Sequence, residues 1–247
     1  MLTSPRLTLD LLLELVALTF AGGVVIRDDR DDADALRLAQ PFDAAGRVLP
    51  DGGCTLIAPT WAVTAAHVAA SIRPGTLIQF GEKAYTVKRT VIHPEGTGPE
   101  GVPPEVDLAM VELTEAVEDI TPAALYHGHE ELGKTLVIVG YGDYGTPSAG
   151  LHHTDGRRRA VTNVVDDAGP RRIFMRFDAP PGGTQYEGVG GPGDSGGPAL
   201  LQDGGKTWLV GVSSASMNGR PGQYGVTDVY TRVSSYTQWI DQIITGR

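Results

Sequence analysis

The residues with the clearest chemical potential are Gly193-Asp194-Ser195-Gly196-Gly197-Pro198. The hydroxyl lies among glycines, which leave backbone N–H groups uncovered and able to face the oxyanion formed when a carbonyl is attacked. The stretch therefore combines a candidate nucleophile, Ser195, with candidate oxyanion donors on Gly193 and Ser195. Glycine, proline, aspartate and serine are also ordinary turn residues. These six positions alone do not separate a nucleophile from a turn, and partners elsewhere must decide.

A hydrolytic serine needs a base and a group that orients it. The hexapeptide also fits the Gly-x-Ser-x-Gly elbow of α/β-hydrolases, whose acid and histidine follow the serine. All six histidines, His67, His93, His127, His129, His152 and His153, precede Ser195, which excludes that order. His67 closes the apolar run Trp61-Ala62-Val63-Thr64-Ala65-Ala66, where two alanines allow tight packing around an imidazole. Asp107 opens Asp107-Leu108-Ala109-Met110-Val111-Glu112-Leu113, whose alternating end suits a half-buried strand with one carboxylate at its mouth. The resulting order is His, Asp, Ser, whereas subtilisin-type enzymes place the acid first.

At these residues the chain resembles the chymotrypsin/trypsin family of serine peptidases, and its bacterial secreted members in particular. Thr64-Ala65-Ala66-His67, Asp107-Leu108-Ala109 and Gly193 to Pro198 carry the three motifs. Gly53-Cys54-Thr55-Leu56-Ile57, Gly140-Tyr141-Gly142 and Val229-Tyr230-Thr231-Arg232-Val233 support them. The resemblance runs from about Ile26 to the C-terminus. It implies an all-β fold of two packed six-stranded antiparallel β-barrels with a C-terminal α-helix. The first barrel would span about 26–120 and the second about 121–233, with a seam at Thr121-Pro122 and the helix over about 235–244. His67 and Asp107 would come from the first barrel and Ser195 from the second. The implied activity is that of a serine endopeptidase working through an acyl-enzyme on protein or peptide substrates. In the family, a new N-terminal ammonium pairs with the aspartate before the serine, here Asp194. Ile26 has the family's spacing to His67, with Val24 and Val25 as chemically similar candidates. Counting back from Ser195 puts Val189 at the base of the primary pocket. Ser214-Ala215-Ser216 would pair with substrate backbone, the Ser216 side chain narrowing the entrance, so a small or medium apolar P1 residue is expected. Asp228 matches a pocket-wall position and would instead attract a basic side chain; if buried, it needs a partner or a cationic substrate.

Bulk properties agree with this reading. The 247 residues suffice for one large domain or two small ones. Globular composition with 33 glycines and 17 prolines favours short strands joined by many turns. A formal net charge of -10 argues against a nucleic-acid partner. Arg157-Arg158-Arg159 reads as a solvated loop, and so does the acidic run Asp28-Asp29-Arg30-Asp31-Asp32, which lacks the glycine and spacing of a calcium loop. His127-Gly128-His129, His152-His153 and His93 read as surface-loop residues, so neither a metal nor another cofactor is expected.

The N-terminus has the outline of an export leader over residues 1–25: Arg6, an apolar stretch from Leu7 to Phe20, then Ala21-Gly22-Gly23. Ala21 and Gly23 stand three and one before a cleavage that would leave Val24 first. Asp10 and Glu14 would each cost up to about 3.5 kcal/mol at the centre of a spanning helix, so no stable membrane span is expected. The other reading of this segment is an amphipathic helix. Export would make the protein secreted, periplasmic or surface-held, and a monomer is expected. Cys54 is the only cysteine, which rules out an intramolecular disulfide and suits a small buried hydrophobe. Strands are predicted at Thr55–Ile57, Trp61–Thr64, Leu77–Phe80, Tyr85–Ile92, Leu108–Glu112, Thr135–Gly140, Ile173–Phe177, Ala199–Leu201, Trp208–Ser213 and Val229–Val233. A closing amphipathic helix over Ser235–Ile244 would bury Tyr236, Trp239, Ile240, Ile243 and Ile244. Two rival functions use the same residues differently. A non-catalytic binding or adhesion relative would normally have lost one member of the His-Asp-Ser set, and a serine esterase would prefer esters to peptides.

Overall fold

Runs of four to six residues that are apolar on one or both faces, cut by glycine and turn residues, dictate a chain of short strands. In the computed structural model, which describes residues 24–96 and 106–246, this gives β1 (Val25–Ile26), α1 (Asp32–Ala39), β2 (Ala45–Val48), β3 (Gly53–Ala58), β4 (Trp61–Thr64) and α2 (Ala66–Ala69). There follow β5 (Leu77–Phe80), β6 (Lys83–Ile92), β7 (Ala109–Leu113), β8 (Ala124–Leu125), β9 (Thr135–Gly140), β10 (Tyr144–Thr146), β11 (Gly150–His152) and β12 (Arg159–Val164). The remainder is β13 (Asp167–Ala168), β14 (Arg172–Arg176), β15 (Gly188–Val189), β16 (Pro198–Asp203), β17 (Lys206–Met217), β18 (Thr227–Arg232) and α3 (Thr237–Thr245). The predicted leader lies outside the described residues, apart from Val24 and Val25. Among the described residues no helix is long and apolar enough to cross a membrane.

The first half closes into a six-stranded barrel in the order β2-β3-β4-β7-β6-β5, with β2 pairing β5. Its interior is filled by side chains such as Leu56, Ile78, Phe80, Leu108 and Met110. The second half is a curled sheet, β12-β9-β16-β17-β18-β14-β13, with β8 added beside β17. Its pairings leave it open where the expectation was a second closed six-stranded barrel. One apolar cluster spans both halves, joining Leu56, Val63 and Met110 to Val139, Leu200 and Val212. The C-terminal helix packs into the same cluster through Tyr236 and Ile240, with Trp239, Ile243 and Ile244 beside them, as its periodicity requires. His93 lies in the loop just after β6 but is half-buried rather than on the open surface: its ring meets those of Tyr236 and Trp239 edge-on, and burial pushes its pKa down. Cys54 is fully buried and free, and burial pushes its thiol up, out of the reactive range.

Of the two charged stretches, the basic one departs from the sequence expectation. Arg159 is 2% exposed rather than solvated. It donates to Asp32 at 2.6 and 3.0 Å and to Asp155 at 2.8 and 2.9 Å, and its guanidinium lies 3.6 Å over the Tyr144 ring. The acidic run stays at the surface, with Asp28, Asp29 and Asp31 exposed, and its carboxylates are hydrogen-bonded there. Asp31 caps α1 by accepting from Ala33 N, Asp28 accepts from Ser148, and Asp29 pairs with Arg27. Asp28 and Asp32 fasten the segment after β1 to the second half, through Ser148 and Arg159.

The Arg159 hydrogen bond holds the Asp155 carboxyl down to about 2. A carboxyl depressed below its unfolded value of about 3.9 stabilises the fold above that pH, and the contribution fades as pH falls towards 2. Asp155→Asn is therefore expected to flatten the acid-unfolding profile between about pH 4 and 2. Arg159→Ala should cost roughly 2 kcal/mol in urea unfolding at neutral pH, below the usual loss for a fully buried pair because both carboxylates retain solvent. Arg37→Ala, which breaks an exposed pair on α1, should leave the urea midpoint essentially unchanged.

Candidate active site

β4 delivers the base. After Thr64 the chain turns into α2, and His67 lies in its first turn with its side chain 16% exposed. That short helix has no side-chain cap of its own. Asp107, just before β7 and 2% exposed, supplies the acceptor: its Oδ1 takes the His67 N–H at 3.0 Å. Its Oδ2 lies 2.7 Å from His67 Nδ1 and accepts from Ser214 Oγ at 2.7 Å. Thr231 Oγ1 on β18 donates to the Asp107 carbonyl at 2.9 Å. The carboxylate therefore holds the imidazole through both backbone and ring, while from the second half Ser214 holds the carboxylate and Thr231 the backbone of Asp107. A buried anion needs this much compensation. Sequence reading assigned Ser214 only to the substrate pocket, and the Thr231 contact left no local signal.

The serine loop is pressed against the same edge. Gly53 N donates to Ser195 O at 2.7 Å, and Thr64 Oγ1 donates to Gly53 O at 2.7 Å. A Cβ on Gly53 would come within 2.7 Å of Gly197 Cα, and one on Gly196 within 2.2 Å of Thr64 Oγ1. Only glycines allow this approach, which brings the loop holding Ser195 against the β4–α2 junction two residues from His67. Gly193 adopts φ +93°, in the region that favours glycine.

Asp194 points away from the solvent face and is buried. Its Oδ1 accepts from Tyr141 N at 3.1 Å and Gly142 N at 3.3 Å, and its Oδ2 from Gly191 N at 3.2 Å. A Cβ on Gly140 would fall 1.8 Å from Oδ1, which gives Gly140-Tyr141-Gly142 a physical role that sequence reading left blank. Ile26, the expected partner of Asp194, lies instead in β1, where it stands opposite Gly188, while Val25 stands opposite Val189. The pairing is antiparallel, so the chain before Val25 leads towards the 190–194 loop and Ile26 lies farther along the strand from it.

Val189 is fully buried in a cluster with Val25, Phe177 and Val226. The Ser216 hydroxyl donates to Asp228 Oδ1 at 2.8 Å, its cross-strand neighbour on β18. Gly190 N donates to Asp228 Oδ2 at 2.7 Å. Asp228 is 3% exposed, and burial is the main cause of a pKa raised to about 7. His127 and His129 belong to no group of three or more metal-ligating side chains among the described residues.

The family model described as Trypsin matches residues 39–240. An uncharacterised peptidase of Corynebacterium glutamicum is 30% identical over 196 residues, covering 75% of this chain and 61% of its own length. A human transmembrane protease, serine 11A, is 31% identical, covering 76% of this chain and 48% of its own. Trypsin 5G1 of Aedes aegypti is 27% identical, covering 77% and 74%. The chain thus spans 61% of the length of the bacterial relative. Among solved structures, neuropsin, a serine protease of mouse brain, superposes with a TM-score of 0.68 at 18% identity, covering 83% of this chain and 96% of its own.

Gly140→Ala tests the packing behind the serine loop. The added methyl group must displace the Asp194 carboxylate, so labelling of Ser195 by a serine-directed phosphonate is expected to slow by about 100-fold. The rate is read by intact-mass spectrometry.

Proposed function

Because the chain belongs to the trypsin family of serine peptidases, we propose that it is a serine endopeptidase that cleaves peptide bonds with Ser195 as nucleophile, His67 as base and Asp107 as its orienting acid. The observation that carries this reading is the Asp107 carboxylate, bonded at once to the His67 ring, the His67 backbone and Ser214. With Nδ1–H donated to Asp107, the lone pair sits on Nε2, the nitrogen that must accept the serine proton. Ser195 Oγ attacks the scissile carbonyl as His67 takes its proton, and the Gly193 and Ser195 N–H groups receive the oxyanion. His67 then protonates the leaving amine, which departs and leaves an acyl-enzyme. Water, deprotonated by His67, attacks the ester, and collapse of the second tetrahedral intermediate returns Ser195 and its proton.

The N-terminal ammonium is assigned to Val24. The strand register supports Val24 over Ile26, and Ala21 and Gly23 precede it as an export cleavage requires. One cut would then both export the chain and produce the ammonium beside Asp194, with no further trimming. The matched primary-pocket position is Val189 and not an acid, so apolar P1 residues are accommodated.

Ser195→Ala is expected to abolish peptide turnover and phosphonate labelling while leaving the thermal unfolding midpoint within about 2 °C, as for a substitution outside the packed core. Peptide turnover retained by that variant would overturn the assignment. N-terminal sequencing of the active, secreted enzyme is expected to begin at Val24. Full activity in a chain beginning at Ile26, or one still carrying residues 1–23, would overturn the insertion.

A further inference from the structure

Two arginines beside the serine loop have no acid of their own. Arg47 on β2 stands opposite Gly53 in the strand register, so its side chain leaves on the face where Gly53 abuts Gly197. Its guanidinium reaches the turn before β12, where Nη1 would lie 3.4 Å from a Cβ on Gly156. Arg157, the next residue of that turn, is exposed. Arg47 Nη2 donates to Pro50 O at 3.5 Å, the outer limit of a hydrogen bond. Among the described residues neither Arg47 nor Arg157 forms an ion pair. The nearby carboxylates are taken, Asp43 by Arg158 and Asp155 by Arg159, and Asp51, exposed in the β2–β3 turn, pairs with neither. On a chain of net charge -10, two guanidinium groups that converge with no acid between them make a positive spot on a negative surface.

The strand order fixes which part of a substrate meets this spot. The Ser195 loop leads into β16, and the sheet runs β12-β9-β16-β17. β17 carries Ser214–Ser216, the stretch expected to run beside the acyl part of a bound peptide. β2 lies on the other side of the serine loop: Tyr141 Oη, just past β9, donates to Ala45 O at 3.2 Å, and Arg158 Nη1 donates to the same hydroxyl at 3.4 Å. A peptide that enters along β17 and passes Ser195 therefore leaves past Arg47 and Arg157. Gly53 N holds Ser195 O, and Arg47 stands across the strand pair from Gly53, about 5 Å away between Cα atoms. An extended peptide advances roughly 3.3 Å per residue, which brings its second or third residue after the cut beside the guanidinium.

We propose that Arg47, with Arg157 beside it, selects an acidic residue at P2′ or P3′, on the leaving-group side of the scissile bond. This rests on the peptidase reading above. The substrate carboxylate supplies the acid that both guanidinium groups lack. Because these side chains reach into solvent, the effect is a graded preference and is sensitive to salt.

The experiment compares kcat/KM for quenched-fluorescence peptides that share leucine at P1 and carry Asp or Asn in turn at P1′, P2′, P3′ and P4′. Asp is expected to be favoured over Asn at P2′ or P3′ by at least ~3-fold at low salt. Near 1 M NaCl, where the Debye length is about 3 Å, the preference should vanish. The double variant Arg47→Gln, Arg157→Gln should show no preference, yet it should keep wild-type turnover of a leucine substrate whose leaving group is a bare amide-linked dye. No Asp preference at P2′ or P3′ in the wild type, or one that survives in the double variant, overturns the proposal. Should the variant fail to turn over the dye substrate, the wild-type preference and its salt dependence decide. Ser195→Ala controls the underlying reading: turnover of the dye substrate by that variant removes the peptidase assignment itself, whereas equal rates for Asp and Asn in an enzyme that requires Ser195 remove only the role of Arg47 and Arg157.

Discussion

The backbone contact between Gly53 and the Ser195–Gly197 turn sets how the two halves meet, and the site depends on it. The Gly53 N–H holds Ser195 O, the Thr64 hydroxyl holds Gly53 O, and neither Gly53 nor Gly196 has room for a Cβ. Three further hydrogen bonds cross the same seam, from Thr231 and Ser214 to Asp107 and from the Tyr141 hydroxyl to Ala45 O. The base comes from the first half and the serine from the second, while the acid is clamped by both. The distance between the proposed nucleophile and base is therefore a property of the seam, which explains why small residues and backbone groups, rather than long side chains, make it. Side chains with many rotamers would leave that distance loose.

The chain carries far more acid than base, yet its three buried aspartates around the serine loop are compensated in three different ways. Asp107 has a histidine and a hydroxyl, Asp194 has backbone N–H groups from two segments, and Asp228 has one hydroxyl and one N–H. These differences divide their work. A carboxylate bonded to an imidazole orients it, and one surrounded by N–H groups organises a loop. The surface acids serve differently again, tying the segment after β1 to Arg159 and Ser148.

Much of the framework was legible. Trp61–Thr64, Leu77–Phe80 and Thr135–Gly140 have the predicted bounds because each is an apolar run ended by a local turn or polar signal. The amphipathic C-terminal helix was equally plain. β12 and α1 were missed because their polar residues looked solvated. Arg159 is satisfied by Asp32, and Asn163 by the carbonyls of Gly188 and Arg176. Partners so distant in sequence leave no local pattern. The same reason hid Ser214 as a partner of Asp107.

The sequence by itself determined the all-β class, the family and the order His67, Asp107, Ser195, because local motifs and covalent order are written along the chain. It also supplied the three candidates for the N-terminal residue, Val24, Val25 and Ile26, and both readings of the P1 pocket. Only the tertiary structure turned the Ser216 hydroxyl towards Asp228 and removed that carboxyl from water. Strand register and burial decided these points, and both arise from contacts between residues far apart in sequence.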